Sequence, residues 1–187
     1  MTILPITQYH KSLKKLSEEE RETVKLLITQ ADIYADPTIH TELANDMLET
    51  VRAYHARGLA TNQVGSLVRM VVVEVEGTLT LMLNPVIDKV GDREIGPYEE
   101  GCLSFPGAST KVPRPDSVVV TYNTLEGDSL TELITGSDVS AVLHELEHLD
   151  GILIVHKLAG LAKRNFLRKV EKFQKRFKRP VTLKINE

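Results

Sequence analysis

His144 and His148 stand four residues apart in the run Val142-Leu-His-Glu-Leu-Glu-His-Leu-Asp-Gly151. On a helix that spacing puts both imidazoles on one face, one turn apart. Two imidazoles so related can hold one metal ion, and Glu145 beside them is placed to handle the proton of a water bound there. A third protein ligand is then needed. Downstream, the spacing for a third histidine falls at position 154, where Ile154 stands, and His156 comes two residues late. An acidic ligand on the following helix would have to be Glu171, which sits inside a strongly basic run. The better candidate lies upstream, in Glu99-Glu-Gly-Cys-Leu-Ser-Phe-Pro106.

Cys102 is the single cysteine of the chain, so no intramolecular disulfide can form and a reducing, cytoplasmic setting is expected. A lone thiol is most often a small buried hydrophobe. Here it sits in a turn-like Gly-Cys-Leu-Ser segment, beside acidic residues and before a proline, in a chain that already carries a two-histidine helix.

Three segments occur in order: Gly58-Leu-Ala-Thr-Asn-Gln63, Glu100-Gly-Cys-Leu-Ser104 and His144-Glu-Leu-Glu-His148. In this order and spacing they resemble the motifs of the peptide deformylase family, over roughly residues 40–160. The resemblance implies a metal held by Cys102, His144 and His148, with Fe²⁺ as the native ion and zinc or nickel as substitutes. Bottom-up, one thiolate and two imidazoles suit zinc. The resemblance further implies Glu145 as the proton-transfer carboxylate, and the Gln63 side chain and Leu103 backbone N–H as donors to the reacting carbonyl oxygen. The substrate it implies is the N-formyl-methionyl end of a nascent polypeptide, which would lose its formyl group as formate. Gly58, Glu100, Gly101, Ser140 and Ala141 are expected to border that substrate. Glu100 and Asp150 have the type to hydrogen-bond a ligand or substrate group, Asp150 reading equally well as a solvated residue near a helix end, and Arg114 should tether a carboxylate.

The chain departs from the family pattern in several places. Ala56 stands where the family usually has glycine, Arg57 takes an often apolar position at the substrate, and Ser109 replaces an arginine. Ser140 and Ala141, one turn before His144, are smaller or more polar than the family norm and put side-chain preference in question.

Ser17 and Glu20 make a capping box for a helix over 17–31, with Val24, Leu27, Ile28 and Ala31 on its apolar face. Asp36-Pro37 should end that region. A second helix is expected over 41–56, burying Leu43, Met47, Val51 and Tyr54. Read alone, Ala56–Gly65 is a loop with glycine turns. Residues 67–76 and 78–87 flank Glu76-Gly77 as a hairpin, with Asn84-Pro85 closing the second strand and 91–97 a polar connection. Residues 118–122 and 129–134 form another strand pair. No chemistry attaches to His10, His40 or His55.

Hairpins followed by a helix, with no βαβ units, indicate an α+β fold. The resemblance implies antiparallel and mixed sheets packed around a central HExxH helix, with a C-terminal helix. At 187 residues and 42% hydrophobic content the chain suits one domain over 1–187. Residues 157–178 should form a helix with an apolar stripe at Leu158, Leu161, Phe166, Val170, Phe173 and Phe177. Its other face is basic, and the tail 180–187 alternates Val181, Leu183 and Ile185 as a short strand would. That face reads either as solvated surface or as a contact to the ribosome. A net charge of −3 gives no global pull toward nucleic acid, no apolar run is long enough to span a bilayer, and residues 1–7 are not expected to act as a signal peptide. Two alternatives stand beside the deformylase reading. One is a zinc endopeptidase built on HExxH. The other is a non-catalytic RNA-binding protein with a structural metal, which would want a fourth protein ligand.

Overall fold

The computed structural model describes residues 2–9, 17–33, 40–177 and 182–183. In chain order, β1 (Ile6–Thr7), α1 (Glu18–Leu26) and α2 (Thr41–Tyr54) lead to β2 (Gly58–Ala60) and a 3₁₀ turn over Thr61–Val64. There follow β3 (Met70–Val75), β4 (Thr78–Val90), β5 (Glu94–Gly101), β6 (Ser109–Pro115), β7 (Ser117–Asn123) and β8 (Ser129–Thr135). The chain then runs through α3 (Asp138–Leu149), a 3₁₀ turn at Ile154–Lys157, α4 (Gly160–Phe177) and β9 (Thr182–Leu183). One antiparallel sheet has the order β2-β3-β4-β7-β8; β5 pairs with β6, and β1 with β9. The fold is α+β, as expected.

Strand β3 shows why the sequence builds this core. Its run Met70-Val-Val-Val73 does not alternate with polar residues, because both faces of the strand are covered. Val71 and Val73 face α3, packing with Val142, Leu146 and Leu149. Met70 and Val72 face α2, packing with Ala44, Met47 and Val51. A third apolar cluster joins Phe105 and Val112 to Phe166 and Val170 of α4. The helix that carries the two histidines is therefore held on its apolar side by a sheet that is itself backed by α2.

Local expectations met the structure unevenly. Helix α1 starts from Ser17 with the capping box in place, Ser17 Oγ accepting from the Glu20 amide, but ends at Leu26. Val24, Leu27 and Ala31 are buried, whereas Ile28 is 56% exposed. Met47 and Val51 of α2 are buried, with Leu43 and Tyr54 packed partly against the same cluster. The segment Ala56–Gly65 is not a plain loop: Gly58–Ala60 pairs with Val71–Val73, so its backbone is committed to the sheet. Asn84-Pro85 does not close β4. The strand bulges there, with Asn84 at φ +49, and the register shifts between Leu83 and Val86. The 91–97 connection and the cysteine segment belong largely to the β5–β6 hairpin. Leu161 and Phe177 of the α4 stripe are exposed rather than buried. Of the tail strand, Thr182–Leu183 pairs with β1, while Val181 and Ile185 lie outside the described residues, as do Asp36-Pro37 and His10.

Candidate metal centre and substrate cleft

Helix α3 is apolar on most of its circumference, so its polar side chains lie in an almost dry setting: His144 is 8% exposed, Glu145 5% and His148 1%. Cys102 arrives from the far end of β5, one residue past the strand, and its Sγ lies 3.2 Å from His148 Nε2. One donor atom from each of Cys102, His144 and His148 lies within 4.8 Å of the others. A single ion with bonds of about 2.0–2.3 Å to nitrogen and sulfur fits between three such donors. The hydrogen bonding agrees with that use. His144 Nδ1 is engaged by Glu100 Oε2 at 3.0 Å, which leaves Nε2 for a ligand and fixes the ring.

Glu100 is the hub beneath the site. Arg114 donates to both its oxygens, Nε to Oε1 at 2.7 Å and Nη2 to Oε2 at 2.9 Å, and Ser140 Oγ donates to Oε1 at 2.8 Å. Arg114 turns its remaining terminal nitrogen to Glu147 Oε1 at 2.5 Å. Burial opposes ionisation of Glu100. The bonds from His144, Arg114 and Ser140 and the Arg114 charge outweigh it and hold the carboxyl down at about 2. For Arg114, burial is likewise outweighed by the two carboxylates, which raise it above its ordinary value.

The neighbouring carboxylate is different in kind. Burial pushes Glu145 up to about 7, His144 draws it down, and the Glu100 charge adds to the rise. Its Oε2 has no hydrogen-bond partner among the described residues. Burial and the proximity of His144 push His148 well below its ordinary value. In His144, burial acts downward, but hydrogen bonds to Cys102 and Glu100 raise it.

Gln63 is locked at both ends of its amide. Its Oε1 accepts from the Ala60 N–H at 2.9 Å, and Nε2 donates to Ser104 Oγ at 3.2 Å and toward Cys102 Sγ at 3.6 Å. Gln63, Cys102, Leu103, His144 and Glu145 all line one open cleft of about 480 Å³. Gly58, Glu100, Gly101, Ser140 and Ala141 line the same cleft, so the residues singled out from the sequence converge there except His148, which is buried behind it.

Other expectations are revised. Asp150 does not reach a histidine; it pairs with Arg69 at 2.7 Å. His55 lines the cleft, at the left-handed residue that ends α2. Arg57 also lines it, and is tied to Asp138 at 2.6 Å and Glu74 at 3.4 Å. Ser109 donates to Glu99 Oε1 at 2.6 Å. Sequence reasoning missed Glu147, Asn62 and Phe173. Asn62 Nδ2 donates to the backbone carbonyl of His148, and Phe173 reaches the cleft from α4. Nothing in the motif spacing marks these three, because each acts across a long sequence separation.

A thiol and an imidazole lining an open cleft, a second imidazole buried just behind them, and a carboxylate with one unpartnered oxygen alongside are the equipment of a metal-dependent hydrolase. The comparisons with known proteins carry this further. The chain is 38% identical over 149 residues to peptide deformylase of Acetivibrio thermocellus, covering 79% of this chain and 84% of that one. It is 31% identical over 166 residues to peptide deformylase of Fusobacterium nucleatum, covering 88% and 95%. Its fold matches a crystal structure of a peptide deformylase from Legionella pneumophila with a TM-score of 0.82 and 27% identity, over 96% of this chain and 99% of that one. The family pattern described as polypeptide deformylase matches residues 5–164, and the chain belongs to that family. It is a hydrolase that removes the formyl group from newly made polypeptides. The endopeptidase and RNA-binding alternatives give way to this finding. No helix among the described residues is long and apolar enough to cross a membrane.

Proposed function

We propose that Cys102, His144 and His148 hold Fe²⁺, with zinc or nickel able to replace it, and that Glu145, Gln63 and the Leu103 amide carry out deformylation around it. Similarity of motifs supports iron; the donor set by itself suits zinc as well. A metal bound there supplies Lewis acidity, bringing water closer to ionisation at neutral pH and polarising the formyl group. The observation that carries the reading is the buried Glu145 carboxylate, raised to about 7 and with one oxygen unpartnered, beside three convergent ligand atoms.

Each residue then has a task. Glu145 accepts a proton from the attacking water as its oxygen adds to the formyl carbon. Gln63 Nε2 and the Leu103 N–H donate to the formyl oxygen as it gains negative charge. When the carbon–nitrogen bond breaks, Glu145 returns the proton to the departing nitrogen, leaving formate and a free amino terminus. Glu100 holds His144 in one tautomer, Arg114 holds Glu100, and Gly58, Gly101, Ser140 and Ala141 shape the space beside the methionyl side chain. The 1–187 chain acts as one unit in the cytoplasm, where nascent formylated chains arise.

The test is formate release from a formyl-Met tripeptide by anaerobically prepared, Fe²⁺-loaded protein, beside Glu145→Ala and Cys102→Ala. Glu145→Ala should keep its metal and lose formate release; Cys102→Ala should lose both. A fully loaded wild type that releases no formate, or an active Glu145→Ala, would overturn the assignment.

The exposed face of α4 carries Arg164, Arg168, Lys169, Lys172, Lys175 and Arg176. We propose that it docks on ribosomal RNA, because clustered cations release counterions from a phosphate backbone. Truncating the helix cannot test this, since Phe166 and Val170 on its inner face are core residues. Replacing Arg168, Lys169 and Lys172 by Glu leaves the core intact and should abolish ribosome co-sedimentation at low salt. Unchanged co-sedimentation would dismiss the contact.

A further inference from the structure

Beyond its metal ligands the cleft runs out to α4, an element that contributes nothing to the three motifs. Phe173 lines this part together with Pro106, Gly107 and Ala108. Its ring lies directly on the Gly107 backbone: a Cβ at Gly107 (φ +76) would stand 2.4 Å from Phe173 Cδ2 and 2.6 Å from its Cγ. The aromatic ring and the glycine thus fit each other, and a side chain at 107 would displace the ring.

The placement of Phe173 is fixed on both sides. One turn back Val170 and two turns back Phe166 are 2% and 3% exposed in the cluster around Phe105. One residue on, Gln174 Nε2 donates to the Tyr9 carbonyl at 3.0 Å and to Gln8 Oε1 at 3.2 Å. Tyr9 in turn stacks on Phe105 with ring centroids 4.9 Å apart. Phe173 is half-buried, so one part of the ring remains available to the cleft. A rigid aromatic surface at a pocket rim gives contact area with little ordering cost.

The direction of the substrate follows from the chemistry. The formyl carbon must sit by Glu145 and the metal ligands at the floor, so the polypeptide leads outward and its next residues meet the rim. We propose that Phe173 is a specificity-determining residue that contacts an apolar side chain on one of the two residues following formyl-methionine. This inference rests on the assignment of the cleft floor made above. Helix α4 therefore forms part of the substrate site, and the chain favours a bulky apolar residue there over a small one.

The experiment compares kcat and KM for formyl-Met-Ala-Ala, formyl-Met-Leu-Ala and formyl-Met-Ala-Leu in wild type, Phe173→Ala, Phe173→Leu and, as a control elsewhere on α4, Leu161→Ala. Wild type should prefer one leucine peptide over the all-alanine peptide by about tenfold in kcat/KM, mostly through KM. Phe173→Ala should erase that preference, the loss appearing in KM for the leucine peptide rather than in kcat. Phe173→Leu, the milder change, should retain part of it, and Leu161→Ala all of it. An equal preference in wild type and Phe173→Leu and Phe173→Ala would overturn the proposal, as would a common fall in kcat on all three peptides. Continued formate release from the all-alanine peptide in either outcome keeps the floor assignment separate from this one.

Discussion

The absent side chain of Gly58 is the space that Glu145 occupies: a Cβ there would stand 2.6 Å from both Cγ and Oε1 of the glutamate. The neighbour is a side chain packed in the interior, so it cannot swing away freely. Gly58→Ala should displace the carboxylate and lower kcat by about 10²-fold, the scale of a 1 Å misplacement. Thermal melting should move far less than the rate. A variant with wild-type kcat would show that Glu145 tolerates the shift or does not transfer the proton.

Arg114 is 3% exposed and answers two carboxylates, Glu100 and Glu147. Removing one partner of a buried pair leaves charge uncompensated, so Arg114→Met should cost about 3–5 kcal/mol in urea unfolding. Arg114→Lys should recover little of this, because an ammonium cannot make the two-pronged contact with Glu100. Equal stability of Arg114→Lys and wild type would show that charge alone, without the fork, suffices.

A ligand that binds only the folded state raises its stability by mass action. Chelation should therefore lower the melting temperature, and added Fe²⁺ or Zn²⁺ should restore it in a concentration-dependent way. His148→Ala and Cys102→Ala should melt at the same temperature with or without metal. A wild-type melting temperature indifferent to chelator would speak against a metal centre at these residues.

Tyr122 donates to Glu132 Oε1 at 2.8 Å, and burial first, then that bond and the Glu132 charge, push the phenol from 10.0 up to about 12. Folding favours the protonated phenol, so its contribution is complete below pH 10 and is lost as pH rises toward 12. The stability gap between wild type and Tyr122→Phe should stay constant from pH 7 to 9 and narrow above 10. Urea midpoints across that range would reveal a constant gap if the bond does not depend on the phenolic proton.

The site was more legible in the sequence than the scaffold around it. His144, Glu145 and His148 announce themselves by helical spacing, and Cys102 by being the only thiol in a segment with the right neighbours. Glu147 occupies the same helix yet gives no signal, because its partner Arg114 lies 33 positions away. The strand character of Gly58–Ala60 was hidden for a related reason. Two of its three residues are small, and pairing with Val71–Val73 rather than intrinsic preference makes it a strand. The continuation of β4 past Asn84-Pro85 depends on a bulge, a tertiary solution to a local breaker. Helix α4 was foreseen as amphipathic, but periodicity could not tell that Phe173 would leave the core and join the cleft.

The pairing of Ile6–Thr7 with Thr182–Leu183 ties together stretches at opposite ends of the sequence. Ile6 is fully buried, yet its strand partner is made only after the sheet, α3 and α4 have been synthesised. Contacts of such separation carry the largest loop-closure cost and form late. Ile6 itself packs with Ala44, Met47 and Met70, so at this edge only the strand pairing waits for residues 182–183, while the side chain has its core partners among residues made much earlier.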